Sequence, residues 1–245
     1  MAMTEYHPPT EPWVDIVFED EHILAVNKPS GLLSVPGRLA EHYDSMWSRL
    51  VDIYPEVQVV HRLDMDTSGL MLLAKNKLAE RALKKQFQYR LTHKVYYARV
   101  WGHVEADEGE IDLPLIGDWP NRPKQKVCFE TGKQAKTRYQ VVKREAKTTV
   151  VRLLPITGRS HQLRVHMQAL GHAIVGDEFY AQGEAFEFSS RLELHAAELS
   201  FYHPQCNSLR SLYVPCDFYL EADAIIFHFF TPVRELPDYK TLPHP

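Results

Sequence analysis

Apolar and polar positions alternate or recur along the chain in a way that predicts strands separated by few helices. Residues 13–20 place β-branched and aromatic side chains ahead of an acidic turn, and residues 23–28 repeat the pattern, predicting two strands. Residues 45–53 predict a short helix stopped near Pro55, and residues 69–75 an apolar, buried strand. Over residues 77–90 the period changes to that of an amphipathic helix. Leu78, Ala79, Ala82, Leu83 and Phe87 share one face, while Arg81, Lys84, Lys85 and Arg90 project from the others as a basic side. Residues 94–102 alternate as a strand, and residues 137–142 and 148–154 predict a hairpin pair. A polar cluster at residues 157–166 enters a helix running to about Ala169, residues 171–177 predict a turn and a short strand, and residues 192–199 a further strand. The run Ile225-Ile226-Phe227-His228-Phe229-Phe230 is strongly apolar, and residues 231–245 are proline-dotted and irregular. No period of repeat length recurs. Many strands and few helices predict an α/β or α+β domain with a large, mostly antiparallel sheet.

Length adds that 245 residues suffice for one large domain or two small ones with a substantial core. No apolar run is long enough to span a bilayer, and the first twelve residues lack the apolar stretch of a signal peptide. Three cysteines, Cys128, Cys206 and Cys216, lie far apart without a Cys-x-x-Cys pair, against a disulfide framework or a cysteine zinc site. The expectation is a soluble cytoplasmic protein.

Charge changes the picture more. The net charge of −4 hides an asymmetry: residues 1–74 carry −8, residues 75–164 carry +11 and residues 165–245 carry −7. A basic middle third is what a local phosphate-binding surface requires, and a solvated lysine-rich face explains it equally well.

Three polar stretches can carry chemistry. In Val60-His61-Arg62-Leu63-Asp64-Met65-Asp66-Thr67-Ser68-Gly69 a carboxylate is displayed in a turn that feeds a strand, where a scaffold can hold it rigidly. Taken alone, Asp64 is more readily explained as a turn or cap residue than as a catalytic one. The loop Lys28-Pro29-Ser30-Gly31-Leu32-Leu33-Ser34-Val35-Pro36-Gly37 fits either a phosphate cradle or two structural turns, and it lacks a P-loop's lysine after glycine. The loop Asp118-Trp119-Pro120-Asn121-Arg122-Pro123-Lys124-Gln125-Lys126 joins an aromatic ring to three cations, a composition suited to stacking on bases and holding phosphates. His161, His166 and His172 fit no metal-ligand spacing, and no metal is expected.

Lys28-Pro29-Ser30-Gly31-Leu32, His61-Arg62-Leu63-Asp64 with Thr67-Ser68-Gly69, Lys94-Val95-Tyr96, and Gly158-Arg159-Ser160-His161-Gln162-Leu163-Arg164 resemble, in order, the motifs of the RluA family of RNA pseudouridine synthases. The resemblance runs from about Trp13 to Phe218, with Ser160 and Leu163 standing where many relatives have Thr and Ile. Residues 118–128 point to the branch that modifies uridine in both a 23S rRNA hairpin loop and a tRNA anticodon loop.

The resemblance implies an α+β pseudouridine synthase catalytic fold spanning residues 1–221, with residues 222–245 a tail of no assigned role. It implies a monomeric isomerase without cofactor or metal that flips a loop uridine from its stack. Asp64 would be the catalytic carboxylate and Tyr96 would lie against the uracil and serve as a base. Leu163 would close the opposite face, and Arg164 would pair with Asp64. Arg62 would fill the vacated stack, with His61, Arg122, Lys124 and Lys126 as further RNA contacts. With no separate N-terminal RNA-binding domain, recognition would fall to the catalytic domain itself. The rival readings are an RNA-binding or RNA-folding protein without catalysis, and a glycoside hydrolase, for which Asp66 is the nearest second acid.

Overall fold

The computed structural model describes residues 6–219. The apolar run at 225–230 and the tail it belongs to lie outside the described residues.

Ten strands form one sheet. They are β1 (Ile16–Glu19), β2 (Ile23–Lys28), β3 (Gln58–Val59), β4 (Ser68–Ala74), β5 (His93–Trp101), β6 (Glu108–Asp112), β9 (Lys136–Arg144), β10 (Thr148–Pro155), β11 (Leu194–Tyr202) and β12 (Leu209–Tyr213). Between β6 and β9 the chain makes a separate hairpin of β7 (Leu115–Gly117) and β8 (Gln125–Val127), whose connection carries the aromatic and cationic loop. The order across the sheet is β1-β2-β4-β11-β5-β10-β9-β6, with β3 on β4 and β12 on β11. Every pairing is antiparallel except that of β4 with β11, so the sheet is mixed but mostly antiparallel, as expected.

The helices are α1 (Met46–Val51), α2 (Lys77–Gln88), α3 (Gln162–Ala169) and the short α4 (Glu184–Glu187). Ser45 and Asn76 cap α1 and α2, each side chain accepting a backbone N–H of the first turn. In α2, Ala79 and Leu83 are buried, but Leu78 is 60% exposed. The face is rotated because Gln86 is buried instead, its amide bonded to both the N–H and the carbonyl of Tyr202 on β11. Residues 174–177 are not a strand: Ile174 makes a single bridge to Val100, and the chain then turns at Gly176.

One row across the sheet brings the polar turn near Tyr96. Lys28 on β2, Gly69 on β4, Ala196 on β11, Tyr96 on β5 and Leu153 on β10 are successive cross-strand partners. Gly69 adopts φ +110°, and a Cβ there would lie 2.2 Å from the Ala196 carbonyl oxygen. Only glycine permits β11 to approach so closely. The turn carrying Asp64 therefore enters the sheet at its one parallel pairing, two strands from Tyr96. Leu63 is buried in the core with residues of β2 and β4, Leu163 in the core with residues of β5 and β10, and Tyr96 packs against both.

Candidate active site

Asp64, Tyr96, Leu163 and Arg164 line a single cavity of about 810 Å³, together with His61 and Arg62. The turn that presents Asp64 is fastened on both sides. The Ser34 hydroxyl donates to the Leu63 carbonyl and accepts its N–H. The buried Lys28 ammonium donates to the carbonyls of Pro29, Leu32 and Met65, and Ser30 donates to the Asp66 carbonyl. Of the two readings of the 28–37 loop, these bonds support structural turns: the lysine has its donors committed to backbone. Burial depresses the Lys28 ammonium to about 7, against the opposing pull of Asp66 and Asp64.

Arg164 is 2% exposed, and its carboxylate partners differ from the expectation. Its NH1 faces Asp64 at 3.8 Å, but its Nε and NH2 form a bidentate pair with the fully buried Asp177, at 2.7 and 2.6 Å. Asp177 Oδ1 also accepts the N–H groups of Phe179 and Tyr180. The guanidinium is thus held by one carboxylate and turned toward the other. Gly176, at φ +68°, makes the turn possible, since a Cβ there would lie 1.9 Å from the Arg191 carbonyl oxygen.

The Tyr96 hydroxyl has no hydrogen-bond partner among the described residues. Burial and then the charge of Asp64 hold its phenol protonated well above the ordinary tyrosine range. The ring is therefore a neutral stacking surface, and a base role requires a proton to leave it once substrate is bound. Arg62 is exposed and forms no ion pair or hydrogen bond among the described residues, leaving its guanidinium available at the rim. His61 is more constrained. Its Nε2 accepts the Leu72 N–H of β4 and its ring stacks on Phe87 with centroids 4.5 Å apart. Burial and then Lys94 depress it to about 3, so it is a neutral ring fastening the turn to the strand.

Arg122, Lys124 and Lys126 do not line the cavity; their loop reaches its mouth through Pro123. Lys126 pairs with Asp118 and Arg122 lies over the Trp119 ring, which is 72% exposed. Three further cations do line the wall: Arg90, Lys94 and Arg159. For Lys94 the signal lies in the Lys94-Val95-Tyr96 strand, where i and i+2 share a face. With Arg62 and Arg164 they make five cationic groups around one carboxylate, because Asp66 does not line the cavity. Among the described residues no group of three or more metal-ligating side chains is assembled, and no helix is long and apolar enough to cross a membrane.

Comparison with known proteins places the chain in a family. The RNA pseudouridylate synthase family model matches residues 22–169. The dual-specificity RNA pseudouridine synthase RluA of Vibrio parahaemolyticus is 77% identical, over 100% of both chains. Its namesake in Escherichia coli K12 is 58% identical, over 89% of this chain and 100% of that relative. Among solved structures, human RNA pseudouridylate synthase domain containing 1 superposes with a TM-score of 0.75 at 25% identity, covering 98% of this chain and 99% of the other. By sequence and by fold, the chain belongs to the RNA pseudouridylate synthase family.

Proposed function

We propose that this enzyme isomerises uridine to pseudouridine in hairpin loops of both 23S rRNA and tRNA, with Asp64 as the catalytic carboxylate. The observation that carries this reading is the cavity's composition: one carboxylate, a neutral aromatic surface and five cations. A polyanion suits such a wall, and a two-carboxylate glycosidase does not, since the second acid is missing from it. The double RNA specificity rests on the names of the relatives and on the 118–128 loop; residues 1–221 would be the catalytic unit and the cytoplasm its place of work.

The reaction is redox-neutral. The C1′–N1 bond breaks, the uracil rotates, C5 bonds to C1′, and the C5 proton leaves while N1 gains one. Asp64 serves this by attacking the sugar, attacking the base, or removing a sugar proton on the way to a glycal. All three require a carboxylate aimed at the nucleotide, which the fastened turn and Arg164 provide. Tyr96 and Leu163 hold the uracil between them. Flipping a base costs a few kcal/mol, least in a loop, and stacking on an aromatic ring returns roughly 1–3 kcal/mol. Arg62, exposed at the rim, fills the gap in the stack. These magnitudes favour a loop uridine over one in a stable duplex.

Pseudouridine mapping in cells lacking the gene tests the assignment. Loss of sites in both RNA classes is expected; loss in neither contradicts it. Replacing Arg122, Lys124 and Lys126 together by Ala is expected to weaken RNA binding. It should also flatten the dependence of log affinity on log salt by about 2, at roughly 0.7 for each phosphate no longer neutralised. An unaltered salt slope would place the RNA elsewhere.

A further inference from the structure

His161 lines the cavity and is distinguished by its backbone, its partner and that partner's own tether. It is a non-glycine residue in the left-handed region, φ 52°, ψ 17°, immediately before α3. Side chains held there cluster at functional sites, with histidine among the residues that tolerate the conformation. Its Nδ1 lies 2.8 Å from the Tyr180 hydroxyl, while its Nε2 has no hydrogen-bond partner among the described residues. The Tyr180 oxygen in turn accepts the N–H of Gln125, at 2.7 Å, from β8 of the hairpin that carries Arg122, Lys124 and Lys126.

One arrangement of protons satisfies both bonds and leaves the Tyr180 hydrogen in use. Because Tyr180 Oη accepts from Gln125, its own hydrogen is free to point at His161 Nδ1, which then accepts. Burial disfavours the imidazolium, and in this arrangement the neutral ring carries its hydrogen on Nε2. That N–H is an unused donor on a ring lining the same cavity as Asp64. Tyr180 is itself rigid: 6% exposed, its backbone N–H held by Asp177, and its ring packed with Leu115 and Val165 where the hairpin meets α3.

We propose that His161 donates its Nε2–H to an oxygen of the extruded nucleotide, and that Tyr180 is the positioning residue that sets this tautomer and ties it to the basic hairpin. The proposal rests on the cavity being the uridine site. A uracil carbonyl or a ribose oxygen has the acceptor chemistry required. RNA engaging the hairpin thereby meets a pocket whose donor is already aligned, through one chain from Gln125 N–H to Tyr180 to His161.

The test is a double-mutant cycle in single-turnover assays on an anticodon stem-loop, using Tyr180→Phe, His161→Asn and both together. Asparagine also tolerates the left-handed backbone. Each single change is expected to lower kcat/KM by about 3- to 10-fold, the range for one neutral hydrogen bond, with RNA Kd unchanged. The double variant is expected to be no worse than the poorer single one. Multiplicative losses, or wild-type rates in His161→Asn, would overturn the relay. Should Tyr180→Phe fail to fold, the imidazole nitrogen NMR spectrum of the wild-type protein decides. Protonated Nε2 with unprotonated Nδ1 supports the relay, and the opposite tautomer overturns it. A wild-type protein without turnover would overturn the reading of the cavity, and the relay with it.

Discussion

Asp64→Asn is expected to lower the single-turnover rate of pseudouridine formation by at least about 10⁴-fold, the scale on which loss of an essential catalytic group is felt. RNA affinity and melting temperature should change little. The substitution is isosteric and leaves untouched the bonds that hold the turn, which run through the backbone of Leu63, Met65 and Asp66 to Ser34, Lys28 and Ser30. Arg164 keeps its bidentate partner Asp177, so no buried charge is orphaned. What disappears is the one carboxylate in the cavity wall. A turn or cap role for Asp64 predicts near-normal turnover in this variant, because the Thr67 N–H bonds to the Asp64 backbone carbonyl. Activity within a few-fold of wild type would therefore remove Asp64 from the chemistry and favour an RNA-binding protein without catalysis.

The largest stability effect is expected at Asp177. Asp177→Asn turns an amide NH2 toward the guanidinium and leaves Arg164 buried without its bidentate counter-charge. Breaking one side of a buried pair costs about 3–5 kcal/mol, or roughly 10 °C in melting temperature for a domain of this size. Turnover should fall as well, since the guanidinium no longer has a fixed direction toward Asp64. Replacing both partners, Arg164→Met with Asp177→Asn, separates the two roles, because the asparagine oxygen still accepts the N–H groups of Phe179 and Tyr180. Removing both charges of a buried pair is often close to neutral, so calorimetry is expected to show stability largely restored relative to Asp177→Asn alone while the activity stays lost. Recovered activity in the double variant would show that Arg164 serves only the fold.

Asp177 also marks where the linear pattern of residues stops predicting the site. Strands β2, β4, β5 and β11 and helix α2 were legible because burial on one or both faces dictates their periodicity. Asp64, Tyr96, Leu163 and Arg164 were nameable from their motifs, and the fold brings all four to one cavity. The partner of Arg164 was not nameable, because residues 171–177 carry a strand-like apolar run and Asp177 only becomes a ligand once Gly176 turns the chain. Lys28 was visible as a lysine before a turn, yet its three carbonyl partners include Met65, far along the chain. His61 sits in the same motif as Asp64 but serves the backbone of β4, a pairing that depends on where β3 ends. The β7–β8 hairpin was hidden because its strands are three residues each and lie outside the main sheet.

One measurement bears most directly on the claim that this cavity receives an extruded loop uridine. The same uridine is presented to purified protein in an anticodon stem-loop and in a fully paired duplex of matched sequence, and pseudouridine is quantified after a single turnover. Conversion in the loop, with little in the duplex, is the expected result. Equal conversion of both RNAs, or conversion of neither, would contradict it.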